Sequence, residues 1–238
     1  MAMDVVGVRE NLARVREEIA RIQAVEGLSG DVKIVAVTKG HPVEAIAVAA
    51  SAGVEDIGEN RIQEALDKRL TAAALPVRWH LIGHLQSNKA RHVPGNFAVV
   101  HSVDSLKLAR ALAGAWRRVA EQADTNPQPL AVLLQVNVAE EVQKSGCPPD
   151  QVGELAHRVV EMPEFTLEGL MTMAPLTEDV SEQREVFAAL RGVRDRLTST
   201  GLALPDLSMG MSGDFHAAVA EGATMIRLGT ALFGERHR

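Results

Sequence analysis

Ile34-Val35-Ala36-Val37-Thr38-Lys39-Gly40, IVAVTKG, is a short run of apolar and small residues that ends in a single lysine. A run of this length, continuous rather than alternating, suits a strand buried on both faces of a parallel sheet. Lys39 is out of place in such a core but well placed at the mouth of a barrel. There an ammonium loses solvation, its pKa falls, and the amine becomes a nucleophile toward carbonyls. A lysine that simply leaves the sheet for water fits the same residues, so its meaning depends on what the rest of the chain sets around it.

Working outward, the pattern of this stretch recurs. Upstream, Val5, Val8, Leu12, Val15, Ile19 and Ile22 fall at steps of three and four, one apolar stripe on a helix of about 20 residues. Downstream, Pro42 suits a first helical turn, and Val43, Ile46 and Ala50 give that helix a buried face. Further strands are predicted at Asp56–Asn60, Trp79–Gly83, Ala98–Val103, Leu130–Val138, Leu167–Met173, Leu207–Ser212 and Thr224–Phe233, with helical periodicity in most of the gaps. Asp150 is a candidate cap for the helix that follows it. Eight strands alternating with helices, with no second composition zone, predict an α/β protein: a single (β/α)8 TIM barrel over residues 1–238. A doubly wound open sheet is the alternative. No G-x-G-x-x-G follows any strand, which weakens a dinucleotide reading.

Composition narrows the function. The chain has 238 residues, 46% hydrophobic and 24% charged, with a net charge of −6. That balance fits a globular protein and excludes the basic face of a general nucleic-acid binder. Cys147 is the sole cysteine, so no internal disulfide is possible and a reducing, cytoplasmic setting is expected. No apolar run reaches membrane-spanning length, so no membrane partner is expected.

In such barrels chemistry sits at the C-terminal strand ends, and phosphate binds near strands seven and eight. Strand one ends at Lys39. Strand seven ends at Met211-Ser212-Gly213, a hydroxyl beside free amides at a helix start. Strand eight carries Arg227-Leu228-Gly229-Thr230, where glycine admits close backbone approach and threonine adds a hydroxyl. An anion site thus faces a candidate nucleophile. Arg227 needs an acceptor, either an acidic partner or a ring nitrogen of a cofactor. His80 and His84 have helical ligand spacing, but His80 falls on a predicted strand and no zincin glutamate accompanies them, so a metal is not expected. Met171, Met173, Met209 and Met211 are expected to line the barrel interior.

AVTKGHP, DIGENRIQEALDK, WHLIGHLQSNKAR, HSVDS, LLQVNVAEEVQKSGC, LEGLMTMAP, LSMGMSGDF and EGATMIRLGTALFG occur in order along nearly the whole chain. By these blocks the chain resembles the pyridoxal phosphate homeostasis protein family, and it is also similar to the barrel domain of alanine racemases. The resemblance implies an alanine-racemase N-terminal-type barrel with pyridoxal 5′-phosphate (PLP) as cofactor. Lys39 then matches the lysine that holds the cofactor as a Schiff base. Ser212, Gly229 and Thr230 match its phosphate cradle, and Arg227 the arginine facing the pyridine nitrogen. Asn60 matches a position near the ring. His80 and the Ser87-Asn88-Lys89 loop belong to motifs beside the pocket. TKG departs from the more usual S-K-T or T-K-x only in the flank of the lysine.

The family is described as a carrier or regulator of the cofactor in vitamin B6 and amino-acid homeostasis, without robust catalytic activity. Apo-enzymes that use PLP are the implied recipients, and a monomer is expected. The alternative is a weak PLP-dependent racemase or lyase. Alanine racemases place a tyrosine opposite the lysine, whereas this chain contains no tyrosine. A cofactor-free Schiff-base aldolase would also use a lysine and an anion site in a barrel.

Overall fold

The structure, a computed structural model, describes residues 5–123, 128–139, 141 and 145–235. The stretch Thr125–Pro129, turn-like in composition, lies partly outside these residues. Eight parallel strands close in sequence order, β1 (Lys33–Val37), β2 (Asp56–Glu59), β3 (Arg78–Leu81), β4 (Val99–Val103), β5 (Leu130–Gln135), β6 (Phe165–Met171), β7 (Asp206–Met211) and β8 (Met225–Leu228). The expected (β/α)8 barrel is therefore present, and the open-sheet alternative is not.

The strands are short because each is cut off where the chain must turn back along a helix. Those helices are α1 (Val5–Glu26), α2 (Glu44–Ser51), α3 (Ile62–Thr71), α4 (Leu106–Ala123), α5 (Val152–Val160), α6 (Val180–Ser199), α7 (Phe215–Ala220) and α8 (Thr230–Phe233), with a 3-10 turn at Ser87–His92. The α1 stripe buries Val8, Leu12, Val15, Ile19 and Ile22, and the helix packs on α2, α7 and α8. It therefore covers the outside of the barrel where the first and last strands meet. No helix of the described residues is long and apolar enough to cross a membrane.

Two apolar layers result. The larger lies between sheet and helices; the smaller lies inside the barrel and comprises Val99, Ala131, Leu133 and Met171, with Met173 packed against it. Met209, expected inside, faces the helices instead. Two of the expected boundaries also change. The strand predicted over Thr224–Phe233 stops at Leu228, and its apolar tail TALF forms α8, where Leu232 is buried in the outer layer. Asp150 does not cap α5; the cap position is Gln151, which makes no side-chain cap bond. Asp179 does cap α6, accepting from the amides of Ser181 and Glu182.

Pairing of β8 with β1 sets Val35 beside Arg227 and Ala36 beside Leu228. The two strand ends therefore emerge together, bringing Lys39 and Gly229-Thr230 to the same mouth. Between β7 and β8 the register slips, with Ser208 opposite Met225 but Met211 opposite Arg227. The extra residue is absorbed near Gly210, whose φ is +93°. A bulge of this kind redirects the residues that follow it, here Met211 and Ser212. Gly210→Ala places a Cβ in a left-handed conformation and 2.6 Å from the Ala218 Cβ. It is expected to cost about 1–3 kcal/mol, read as a lowered denaturant midpoint; an unchanged midpoint contradicts this account of the bulge.

Candidate functional site

A single cavity of about 700 Å³ occupies the C-terminal mouth of the barrel. Lys39, Asn60, Ser212, Arg227, Gly229 and Thr230 all line it, so six of the seven residues singled out from sequence meet in one place. Met173, Leu176 and Met211 form an apolar part of its wall, and Leu176 is fully exposed at the rim. His41 and His84 complete the titratable lining; His41 packs against Phe233 at 5.1 Å, and His84 lies 3.6 Å from Asp104.

The lysine is held by its neighbours in the chain. Thr38 to His41 form a turn closed by His41 N–H donating to Thr38 O at 3.0 Å, with Gly40 at φ +70°. A positive φ at the third position is where turns favour glycine, which explains the TKG departure. Buried charges grip this turn from below. Lys68 Nζ donates to Thr38 O, Glu59 Oε1 and Glu64 Oε1 at 2.7, 2.7 and 2.8 Å. Thr38 Oγ1 donates to Glu59 Oε1 at 2.6 Å, and Gly40 N–H donates to Glu64 Oε1 at 2.6 Å. The residues on both sides of Lys39 are thus fixed to one ionic cluster.

Burial pushes the Glu59 carboxyl up, against the hydrogen bonds of Lys68 and Thr38 and the Lys68 charge. Its Oε2 is buried without a hydrogen-bond partner. Burial also works to raise Glu64, but bonds from Lys68 and Gly40 and the charges of Lys68 and Arg61 outweigh it, leaving that group below the usual range. Sequence reading passed over Glu59, Glu64 and Lys68. The available signal was the i, i+4 pair Glu64–Lys68 on one helix face.

Across the mouth, Ser212 Oγ accepts from Gly229 N–H at 3.2 Å and Ala231 N–H at 3.1 Å. Asp214 shapes the loop that carries this serine, accepting from Met211 N–H while its own N–H donates to Met211 O. Burial raises the Asp214 carboxyl, opposed by the Met211 hydrogen bond and the Arg227 charge. Arg227 Nη1 donates to Ser208 Oγ at 2.7 Å and Nη2 to Thr172 O at 2.9 Å. Burial pulls its pKa down to about 10, against the charge of Asp214, so it remains a cation at neutral pH.

His80 is placed differently from the other six. It is buried inside the barrel below the cavity, bonded to His101 and Asp56, and is not part of the cavity wall. The reason is height: His80 is the third residue of β3, whereas the cavity wall on that side is made by Ile82 and Gly83, beyond the strand end. The Ser87–Lys89 turn does not line the cavity either. Cys147 is buried, and burial, with the charges of Asp104 and Asp150, pushes its thiol up to about 11. A thiol so placed is not a nucleophile at neutral pH.

Residues 11–237 match the family described as "Alanine racemase, N-terminal domain". The chain is 44% identical over 230 residues to the pyridoxal phosphate homeostasis protein of Pseudomonas aeruginosa, covering 96% of each chain. Its structure matches PipY of Synechococcus elongatus, solved with PLP bound, with a TM-score of 0.81 at 37% identity over 95% of this chain and 100% of PipY. An alanine racemase of Clostridium difficile shares the fold, with a TM-score of 0.74 at 17% identity, over 98% of this chain and 57% of the racemase.

Proposed function

We infer the function of a chain that belongs to the alanine racemase N-terminal domain family and to the pyridoxal phosphate homeostasis proteins. It binds pyridoxal 5′-phosphate in the cavity at the barrel mouth, holds it covalently through Lys39, and carries or regulates the cofactor. The observation that carries this reading is the arrangement of an amine, a hydroxyl held by two amides and a buried guanidinium around one cavity.

The residues fit the group. Ser212 Oγ, which accepts from the Gly229 and Ala231 amides, keeps its own proton to donate to a phosphate, and Thr230 adds a second hydroxyl to the same wall. Arg227 keeps its proton and presents a donor, so a ring nitrogen facing it serves as the acceptor and stays unprotonated. Asn60 lines the wall beside Lys39. When bound, the cofactor supplies an aldehyde that condenses with an amine and a ring that withdraws electrons. With the ring nitrogen unprotonated, that withdrawal is weaker, which favours carriage over catalysis. Racemisation also needs an acid–base group on each face of the reacting carbon. Lys39 supplies one, and the sequence has no tyrosine to supply the other in the manner of alanine racemases. The protein then acts as a cytoplasmic monomer, and apo-enzymes that use the cofactor are its recipients.

Titration of the purified protein with pyridoxal phosphate tests this. A visible absorption band saturating at one equivalent is expected, and borohydride reduction should fix the added mass on the peptide containing Lys39. Absence of any band at excess cofactor sinks the reading, and borohydride trapping of a sugar phosphate in its place would support a cofactor-free aldolase.

A further inference from the structure

Below the cavity, five polar side chains cross the barrel interior in an unbroken series. Arg227 Nη1 donates to Ser208 Oγ at 2.7 Å, and Ser208 Oγ meets His101 Nδ1 at 2.8 Å. His101 Nε2 meets His80 Nδ1 at 2.8 Å, and His80 Nε2 meets Asp56 Oδ1 at 2.8 Å. The five come from β8, β7, β4, β3 and β2. One end is a wall of the cavity. The other is the first residue of β2, at the opposite rim, where Asp56 also lies 3.6 Å from Arg78.

With both imidazoles neutral, the carboxylate end dictates the direction of every bond. A guanidinium can only donate and an ionised carboxylate can only accept. Ser208 therefore accepts from Arg227 and donates to His101 Nδ1. His101 carries its proton on Nε2 and donates to His80 Nδ1, and His80 carries its proton on Nε2 and donates to Asp56. Burial, and then the charges of Arg227 and Lys33, hold His101 well below the ordinary imidazole range, in keeping with a neutral ring. Burial works to raise Asp56, but the hydrogen bond from His80 and the charges of Arg78 and Lys33 keep it below the usual carboxylate range.

Arg227 has reason to need such a chain. It is buried, and both of its hydrogen bonds among the described residues go to neutral oxygens, Ser208 Oγ and Thr172 O. A buried cation bonded only to neutral groups is costly unless their dipoles are aligned on it. We propose that His101, His80 and Asp56 are positioning residues for Arg227, forming a relay that fixes its guanidinium in the cavity wall and links it to a carboxylate at the far rim of the barrel. The relay thereby sets the donor offered to the ring nitrogen of the cofactor, and in that respect it rests on the cofactor reading above.

The test uses the full chain and pyridoxal phosphate. His101→Phe keeps a flat ring but removes both bonds. His101→Gln restores an acceptor and a donor in one planar group. Asp56→Ala removes the terminal acceptor at the rim opposite the cavity. His101→Phe and Asp56→Ala are expected to weaken cofactor binding about tenfold or more, the scale of one charge-assisted hydrogen bond, and to shift the visible band. His101→Gln should return most of the affinity and the wild-type band, which a purely packing role would not do. Each variant is measured below its own unfolding transition. In the wild type without cofactor, nitrogen NMR should find both rings protonated on Nε2. A ring protonated on Nδ1, or Asp56→Ala with wild-type affinity and band, overturns the relay alone. A wild-type protein with no band overturns the cofactor reading and the positioning role with it.

Discussion

Lys39→Ala is expected to lose the whole of the visible band that the wild-type protein gains with pyridoxal phosphate. The band needs a covalent bond to an amine, and Lys39 is the lysine among the cavity-lining residues. Binding should weaken at least about tenfold without being abolished, because the hydroxyls of Ser212 and Thr230 and the Arg227 guanidinium remain in the cavity wall. The residual binding should be reversible on dialysis and leave no mass adduct after borohydride reduction. Spectral titration and intact-mass analysis read both effects. A full band in the alanine variant would assign the covalent bond to a different lysine.

The second large effect concerns stability. Lys68→Met strips the ammonium from Glu59, which is fully buried, and from the Thr38 carbonyl beside Lys39. Breaking a buried pair on one side costs about 3–5 kcal/mol, which in a chain of this size lowers Tm by on the order of 10 °C. Adding Glu59→Gln to Lys68→Met should recover part of the loss, since no charge is then left unpaired. Thermal unfolding of the two single variants and the double variant measures the coupling. A single Lys68→Met change within about 0.5 kcal/mol of wild type, the range of an ordinary surface substitution, would show that the cluster does not hold the turn.

Much of the barrel could be read from the chain because several strands are apolar runs that end in a residue of different chemistry. IVAVTKG and LSMGMS show this, and the ends of β1, β7 and β8 give the nucleophile, the hydroxyl and the arginine. TALF misleads because Leu232 is buried in the outer layer, so its apolar character does not distinguish a last strand from a helix. His80 shows a second limit. Alternation along a strand tells which residues face inward, but it does not tell their height in the barrel. The ionic cluster below Lys39 is harder still. Glu59 and Lys68 look like ordinary surface charges in sequence, and Lys68 reaches Thr38 only because the closed sheet folds α3 back against the end of β1. The five-residue relay is invisible for the same reason, since its members are spread from Asp56 to Arg227.

The pairing of β1 with β8 also bears on how the protein comes into being. Lys33 pairs in register with Met225 and its N–H donates to Thr224 O, so the sheet cannot close until nearly the whole chain is available. Contacts this distant in sequence form slowly, because the loop between them must first be closed. Lys39 lies on one side of that seam, and Arg227, Gly229 and Thr230 lie on the other. During synthesis, seven strands could already be paired while the mouth was still incomplete. Acquisition of a ligand by the nascent chain would therefore mark the last step of folding, and a chain released before Met225 would have no such site to fill.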